Sequence, residues 1–334
     1  MESQPTIINI KGESFAVVKE TRLLPGMVLK SRERDVFARL GSKVTALEEQ
    51  IHTVSLHERG FPVARVLESG EYTNDEWYFI EESLGNEPFH TQFMREYEQD
   101  GEVSSATFQR YLNVLERYVT AQFSPANRTD ISADDFIATV IPDNKIISNY
   151  EACGGDSVAY HEAVTAATER LSGAPMGVLQ FDLNPYNVLD RGMIDFELVG
   201  YGPLGYDSLL VSLWHRWFTN DPTSRYHIAY QLTPEQIKQA TALVTTAAHN
   251  TGVTDPSTYM QEFLLIKTAW GFTSEKSITD EPASKQAFYQ YRAALLANAV
   301  ESYRSNKPID VLHFPDVQPL PDEASSTPPI RHIQ

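Results

Sequence analysis

The stretch that most constrains this chain is GVLQFDLNPYNVLDRGMIDFELVGYGPLGYD, residues 177–207. Three apolar runs of strand type, GVLQF, NVLD and GMIDF, are broken by DLNPY and RG, which carry turn residues. Among them stand Asp182, then Asn187 five residues on, then Asp195 eight after that, with Glu197 and Asp207 behind. A hairpin-like unit of this length holds Asn187 near the start of one strand and Asp195 at the end of the next, and leaves Asp182 in the loop just before. Two carboxylates and one amide oxygen then surround a single point. That donor set suits a hard divalent cation such as Mg²⁺, which keeps waters and takes phosphate oxygens as its remaining ligands.

Around this unit the chain reads as two regions. TIINI, FAVVKE and MVLKS are short runs rich in β-branched residues, separated by KGES and TRLLPG, and they predict an antiparallel meander. KVTALEEQIHTVSLHE, residues 43–58, predicts a helix with Val44, Leu47, Ile51 and Val54 on its apolar face. RGFPVARVLESGEY and EWYFIEES return to strand. From about residue 90 the pattern is mainly helical. SATFQRYLNVLERYVTAQF follows a Ser cap, and DSVAYHEAVTAATERLSG opens on Asp and stops at Gly. TPEQIKQATALVTTAAHNTG, PSTYMQEFLLIKTAWGF and PASKQAFYQYRAALLANAVESYR complete the set. The tail from Lys307 carries six prolines and little periodicity, which predicts an extended or disordered end. The expected class is α+β, with a small β-rich lobe over residues 1–85, a helical lobe over 86–306 and a proline-rich tail over 307–334.

Composition narrows the partners. With 27 basic against 45 acidic residues the net charge is −18. Such a surface repels phosphate backbones, which argues against nucleic-acid binding. It suits a cationic partner or simply keeps the chain soluble. The single cysteine, Cys153, forms no internal disulfide, the N-terminus lacks the basic-then-apolar pattern of a signal peptide, and no run of 18 apolar residues exists. The expectation is a cytoplasmic protein away from membranes. Oligomeric state is not legible. Trp214, His215 and Trp217, in the apolar run SLLVSLWHRWF, read as core. G-x-S-x-G, H-E-x-x-H and the Walker A pattern are all absent.

The Asp-x-x-x-x-Asn spacing of Asp182 and Asn187, the IDFE run at Asp195 and the segment Gly202-Pro203-Leu204-Gly205-Tyr206-Asp207 together resemble the aminoglycoside phosphotransferase and choline kinase group of kinase-like small-molecule phosphotransferases. The likeness extends in element order over roughly residues 5–300 and is specific over 177–207. It implies a two-lobed protein-kinase-like fold and ATP-dependent transfer of phosphate to a hydroxyl of a small molecule, amino-sugar-like, choline-like or another polar acceptor. By the same resemblance Asp182 is the catalytic carboxylate, Asn187 and Asp195 bind Mg²⁺, and Asp207 supports the loop from below. Glu197 is left between a second ion and a solvated role.

Such a lobe also carries a lysine on a strand and a glutamate on the following helix. Lys30 with Glu49 is the favoured pair, with Glu48 and Lys19 as rivals. Ser14 and the backbone near it are assigned to the phosphates, and Glu82, in the connecting strand, to the nucleotide's base. Two departures from the family pattern stand out. Gln180-Phe181 replaces the usual His-Gly, and no G-x-G-x-x-G loop is present. The first favours an alternative, a catalytically impaired nucleotide-binding regulatory module. A metal-dependent hydrolase on the same carboxylates is a third reading, in which a Lys–Glu pair on a separate lobe has no purpose.

Overall fold

The computed structural model describes residues 6–21, 26–196, 198–219, 224, 226–272 and 277–312. Six strands form the first sheet: β1 Ile7–Ile10, β2 Glu13–Thr21, β3 Gly26–Ser31, β4 Val36–Ser42, β5 Val66–Glu71 and β6 Glu76–Glu82. All pairings are antiparallel, in the order β1-β2-β3-β4-β6-β5. A helix, α1 Lys43–Glu58, leaves directly from β4. Ser42 caps it, its hydroxyl accepting from the Thr45 amide at 3.3 Å. The strand alternation buries Val36, Ala38 and Leu40 with Ile10, Phe15, Leu29, Tyr78 and Ile80. It leaves Phe37 and Arg39 on the opposite face, with α1.

Two expectations fail in this lobe. The strand β4, VFARLGS, was not foreseen, because Arg, Gly and Ser interrupt its apolar run and the charged SRERD precedes it. The apolar face expected of α1 is also wrong. Val44 is 68% exposed and Ile51 55%, while the helix buries Ala46 and Leu56 instead. The side turned to the sheet is largely polar: Gln50 Oε1 accepts from Trp77 Nε1 at 2.7 Å, and Glu49 faces β4.

The second lobe is helical and is held by one large core. Its helices are α2 Phe89–Asp100, α3 Ser105–Phe123, α4 Ala133–Val140, α5 Asp143–Ala152, α6 Ser157–Leu171, α7 Tyr206–Leu210, α8 Pro234–Asn250, α9 Met260–Trp270 and α10 Ala283–Arg304. The expected helices over 105–123, 156–173, 233–252 and 282–304 are present as α3, α6, α8 and α10, with α9 shorter than expected behind a 3₁₀ turn at Pro256–Tyr259. Trp214, His215 and Trp217 are buried, as core residues. A small sheet orders β11-β8-β7, from β7 Arg128–Thr129, β8 Met176–Gln180 and β11 Val199–Pro203, and a hairpin pairs β9 Val188–Leu189 with β10 Gly192–Met193. A β-rich first lobe above a helical second lobe is the expected architecture. The tail from 313 and the turn between β2 and β3, residues 22–25, lie outside the described residues.

Gly200 of β11 shows how the second lobe accepts a bulky residue where the family pattern has glycine. A Cβ there would stand 2.4 Å from the Phe181 ring. The missing side chain at 200 makes the room that Phe181 fills. Gly200→Ala is expected to cost about 1–3 kcal/mol as overpacking, measured by denaturant unfolding. Phe181→Ala in the same chain should recover part of that loss. Simple additivity of the two changes would show that the contact is not the cause.

Candidate active site

Asp182 lies in the loop after β8, a short 3₁₀ turn at Pro185–Asn187 leads into β9, and Asp195 follows β10. The hairpin expected from the sequence is therefore present, with Asn187 at its entry and Asp195 at its exit. Asn187 is buried, and its Nδ2 donates to the Asp182 carbonyl at 3.1 Å. With its nitrogen spent there, the amide oxygen is the end available to a cation. The Asn184 Nδ2 donates to the same carbonyl at 2.8 Å, which fixes the loop from a second side.

Asp195 has φ of 63°, in the left-handed region that non-glycine residues seldom adopt. The cause of its stability is Gln180. The Gln180 Nε2 donates to the carbonyls of Ile194 at 3.0 Å and Asp195 at 2.7 Å. Both hydrogens of one amide thus clamp the turn that carries the carboxylate.

Asp207 stands beneath. It is buried and accepts from Gln122 Nε2 at 2.8 Å, the Gln180 amide at 2.8 Å, the Ser208 amide at 2.7 Å and the Tyr118 hydroxyl. Burial raises its pKa, and these four donors act against that rise. Asp207 ties α3, β8 and α7 to the strand end from which Asp182 projects.

Burial likewise pushes the Asp182 carboxyl up, with Lys267 as the main opposing influence and Asp195 adding to the rise. A base with a raised pKa accepts a proton more readily near neutrality. Lys267, on α9, was not singled out from the sequence. It is buried, and its ammonium donates to the Phe181 carbonyl at 3.1 Å and sits 3.8 Å over the Trp270 ring. Burial pulls its pKa down to about 8. Nothing in an apolar helix read from sequence distinguishes such a lysine from one that snorkels to solvent.

The first lobe corrects the cation assignment. Lys30 does not meet Glu49. Its ammonium donates to Asn86 Oδ1 at 2.7 Å and Asp35 Oδ1 at 3.3 Å, over the Phe37 ring at 4.6 Å. Asp35 in turn accepts from Arg191 Nη2 of the β9–β10 turn at 2.7 Å, so this group links the lobes. The cation opposite Glu49 is Arg39, on the strand that runs straight into α1. Its Nη1 lies 3.2 Å from Glu49 Oε1, and its Nε donates to Glu81 Oε1 at 3.0 Å. Burial opposes the guanidinium charge, but Glu81 and Glu49 outweigh it and raise the pKa. Of the two candidate glutamates, Glu49 meets a cation here. Glu48 is exposed but lines the adjoining cleft. That cleft, about 120 Å³, is walled by Arg39, Glu48, Glu49, His52, Glu81 and Asp195. Arg39 and the Asp195 turn therefore face one space.

Ser14 and Glu82 have partners of their own within the first lobe. The Ser14 hydroxyl donates to Asn9 Oδ1 at 3.0 Å across the β1–β2 pair at the sheet's edge. The Glu82 carboxylate accepts from the Arg65 amide at 3.2 Å, and the Glu82 amide donates to the Arg65 carbonyl at 3.1 Å. Glu82 stitches β6 to the segment before β5. Lys19 lies on β2, and Glu197 lies outside the described residues.

No group of three or more His, Cys, Asp or Glu able to hold a metal occurs among the described residues. The oxygen donors on offer are Asn187 and Asp195. That pair fits a cation held by one or two protein oxygens plus phosphates and water, the usual state of Mg²⁺, and does not fit a self-sufficient protein cage.

The model of the phosphotransferase enzyme family matches residues 15–240. The chain belongs to that family and is a small-molecule phosphotransferase with a hydroxyl acceptor. Among solved structures, a thermostable mutant of aminoglycoside phosphotransferase APH(4)-Ia, in ternary complex with AMP-PNP and hygromycin B, is 12% identical, with TM-score 0.52 over 88% of this chain and 95% of that one. A putative aminoglycoside phosphotransferase from Ralstonia eutropha is 11% identical, with TM-score 0.52 over 91% and 94%. At these identities the likeness is one of fold. A search of curated proteins finds no match. No helix among the described residues is long and apolar enough to cross a membrane.

Proposed function

We propose that the chain transfers the γ-phosphate of ATP, with Mg²⁺, to the hydroxyl of a polar small molecule. The observation that carries this reading is the convergence of Asp182, Asn187 and Asp195 on one hairpin, clamped by Gln180 from above and Asp207 from below. In this reading Asp182 orients the acceptor hydroxyl and takes its proton. Asn187 and Asp195 hold Mg²⁺, which supplies charge neutralisation on the phosphates. Arg39, fixed by Glu49 and Glu81, places its positive charge over the same space. Positioning and electrostatics account for most of the catalysis in transfers of this kind. The impaired-module alternative rests on Gln180 and Phe181. The amide clamp and the space at Gly200 give both residues a part in an assembled site.

The test is thermal stabilisation by ATP with and without Mg²⁺, in the parent chain and in Asp195→Ala. Stabilisation that needs Mg²⁺ and disappears in the variant is expected, since a ligand that binds the folded state raises apparent stability by mass action. Failure of any nucleotide to stabilise the parent would overturn the reading. Arg39→Ala should weaken nucleotide binding about tenfold to a hundredfold, the loss of a charged hydrogen-bonding partner. Lys30→Ala should stay within about threefold, and titration calorimetry distinguishes the two. An equal or larger loss for Lys30→Ala would return the nucleotide cation to β3.

A further inference from the structure

A second group of cations, on α9 and α10, stands within electrostatic reach of Asp182. Lys267 of α9 bonds to the carbonyl adjoining Asp182. Arg292 of α10 reaches the Gly271 carbonyl, one helical turn beyond Lys267, through its Nη1 at 3.2 Å. Its guanidinium lies 4.3 Å over Phe288 and 5.5 Å over Phe218. Phe218 and Phe288 are stacked, and Tyr226 stacks on Phe288 at 4.7 Å. Neither Lys267 nor Arg292 makes an ion pair with a carboxylate among the described residues. The Arg292 Nε is buried with no hydrogen-bond partner, and so is the Nε of neighbouring Arg216. Burial pulls the pKa of Arg292 down to about 10.

This arrangement is costly as pure structure. Burial disfavours the charge on both, and a carboxylate that offsets this for each of them is Asp182. It also stands against the chain's overall charge of −18. Among the described residues, one of the three donor hydrogens of Lys267 and one of the five of Arg292 is seen in a hydrogen bond. The remaining donors and the aromatic planes flank the catalytic carboxylate on the side of the C-terminal helices.

We propose that the acceptor is an anion, a hydroxy compound whose carboxylate or phosphate is held by Lys267 and Arg292 while its hydroxyl faces Asp182. Of the amino-sugar-like, choline-like or other polar acceptors left open above this selects an anionic one, and it rests on the phosphotransferase reading above. The transfer is balanced without a further reactant. The bond from the γ-phosphorus to the bridging oxygen breaks and leaves ADP, a new bond forms from that phosphorus to the acceptor oxygen, and the hydroxyl proton passes to Asp182. The two cations take no part in bond-making. They position the acceptor.

The experiment uses the full chain with Mg²⁺ and AMP-PNP, and one carbon skeleton in four charge states: glucose, gluconate, glucose 6-phosphate and glucosamine. Binding is read by calorimetry and transfer by ADP release with ATP. At least one anionic member is expected to bind about tenfold or more tightly than glucose, and glucosamine no better than glucose. Gluconate against glucose 6-phosphate tells carboxylate from phosphate. Arg292→Gln should erase the anion's advantage while leaving AMP-PNP affinity intact, and Lys267→Met serves as the second variant. An anionic preference in the parent stands even if a variant fails to fold. The proposal is overturned if neither anion outperforms glucose, if glucosamine binds best, or if Arg292→Gln weakens AMP-PNP relative to ADP and spares the acceptor preference. The last result would assign the cations to the transferred phosphate. Loss of AMP-PNP binding by the parent chain would instead strike the phosphotransferase reading itself.

Discussion

Asp182→Asn is expected to lower phosphate transfer by about 10²–10⁴-fold, the usual contribution of a positioned general base, with nucleotide-dependent thermal stabilisation unchanged. The two readouts separate because Asp182 contributes to the fold mainly through its backbone. Its carbonyl accepts from Asn184 and Asn187, and both bonds survive the substitution. Burial holds the carboxyl's pKa up, so the charged form is disfavoured in the folded chain and its removal should not unfold the protein. The measurement pairs ADP release under saturating acceptor with thermal unfolding. A variant retaining more than about a tenth of the parent rate would remove Asp182 from the catalytic role.

The largest loss of stability is expected at Asp207, which is buried. Asp207→Ala leaves the Tyr118 hydroxyl, the Gln122 amide and the Gln180 and Ser208 backbone amides without their shared acceptor, all of them buried. Each buried donor that then finds no other partner costs about 1–3 kcal/mol. Asp207→Asn should cost less, but its amide nitrogen must face a donor whichever way it turns. Denaturant unfolding of both variants decides the matter. A change within about 1 kcal/mol for Asp207→Ala would show that the four donors find other partners, and that the loop does not hang on this carboxylate.

The two variants also show what the sequence could and could not disclose. The hairpin that carries Asn187 and Asp195 was legible because its geometry is local. Asp182, Asn187 and Asp195 are joined by two-residue strands, and short turns leave such a segment few shapes. The long helices α3, α8 and α10 were legible from caps and periodicity. The first lobe's cation was not. Arg39 meets Glu49 and Glu81 through one helix connection and one cross-strand pairing, and β4 lacks the alternating pattern that would have announced it. Lys30 lies on β3, and the cation that meets Glu49 stands on β4, the strand paired directly with it. Gln180 shows the converse. It appeared as a defect in the motif, and its meaning depends on two carbonyls 14 and 15 residues away. Lys267 and Arg292 reach the site from helices far along the chain, whose apolar faces give no sign that a charge is turned inward.

The amide at position 180 has one more consequence. A histidine in that place changes its charge between about pH 5 and 8, and its hydrogen-bonding pattern changes with it. Glutamine has no proton to gain or lose over that range. The turn bearing Asp195 is therefore locked by a clasp blind to acidity. A rate profile measured toward acid should report the carboxylates of the site itself, rather than the melting of the loop that presents them.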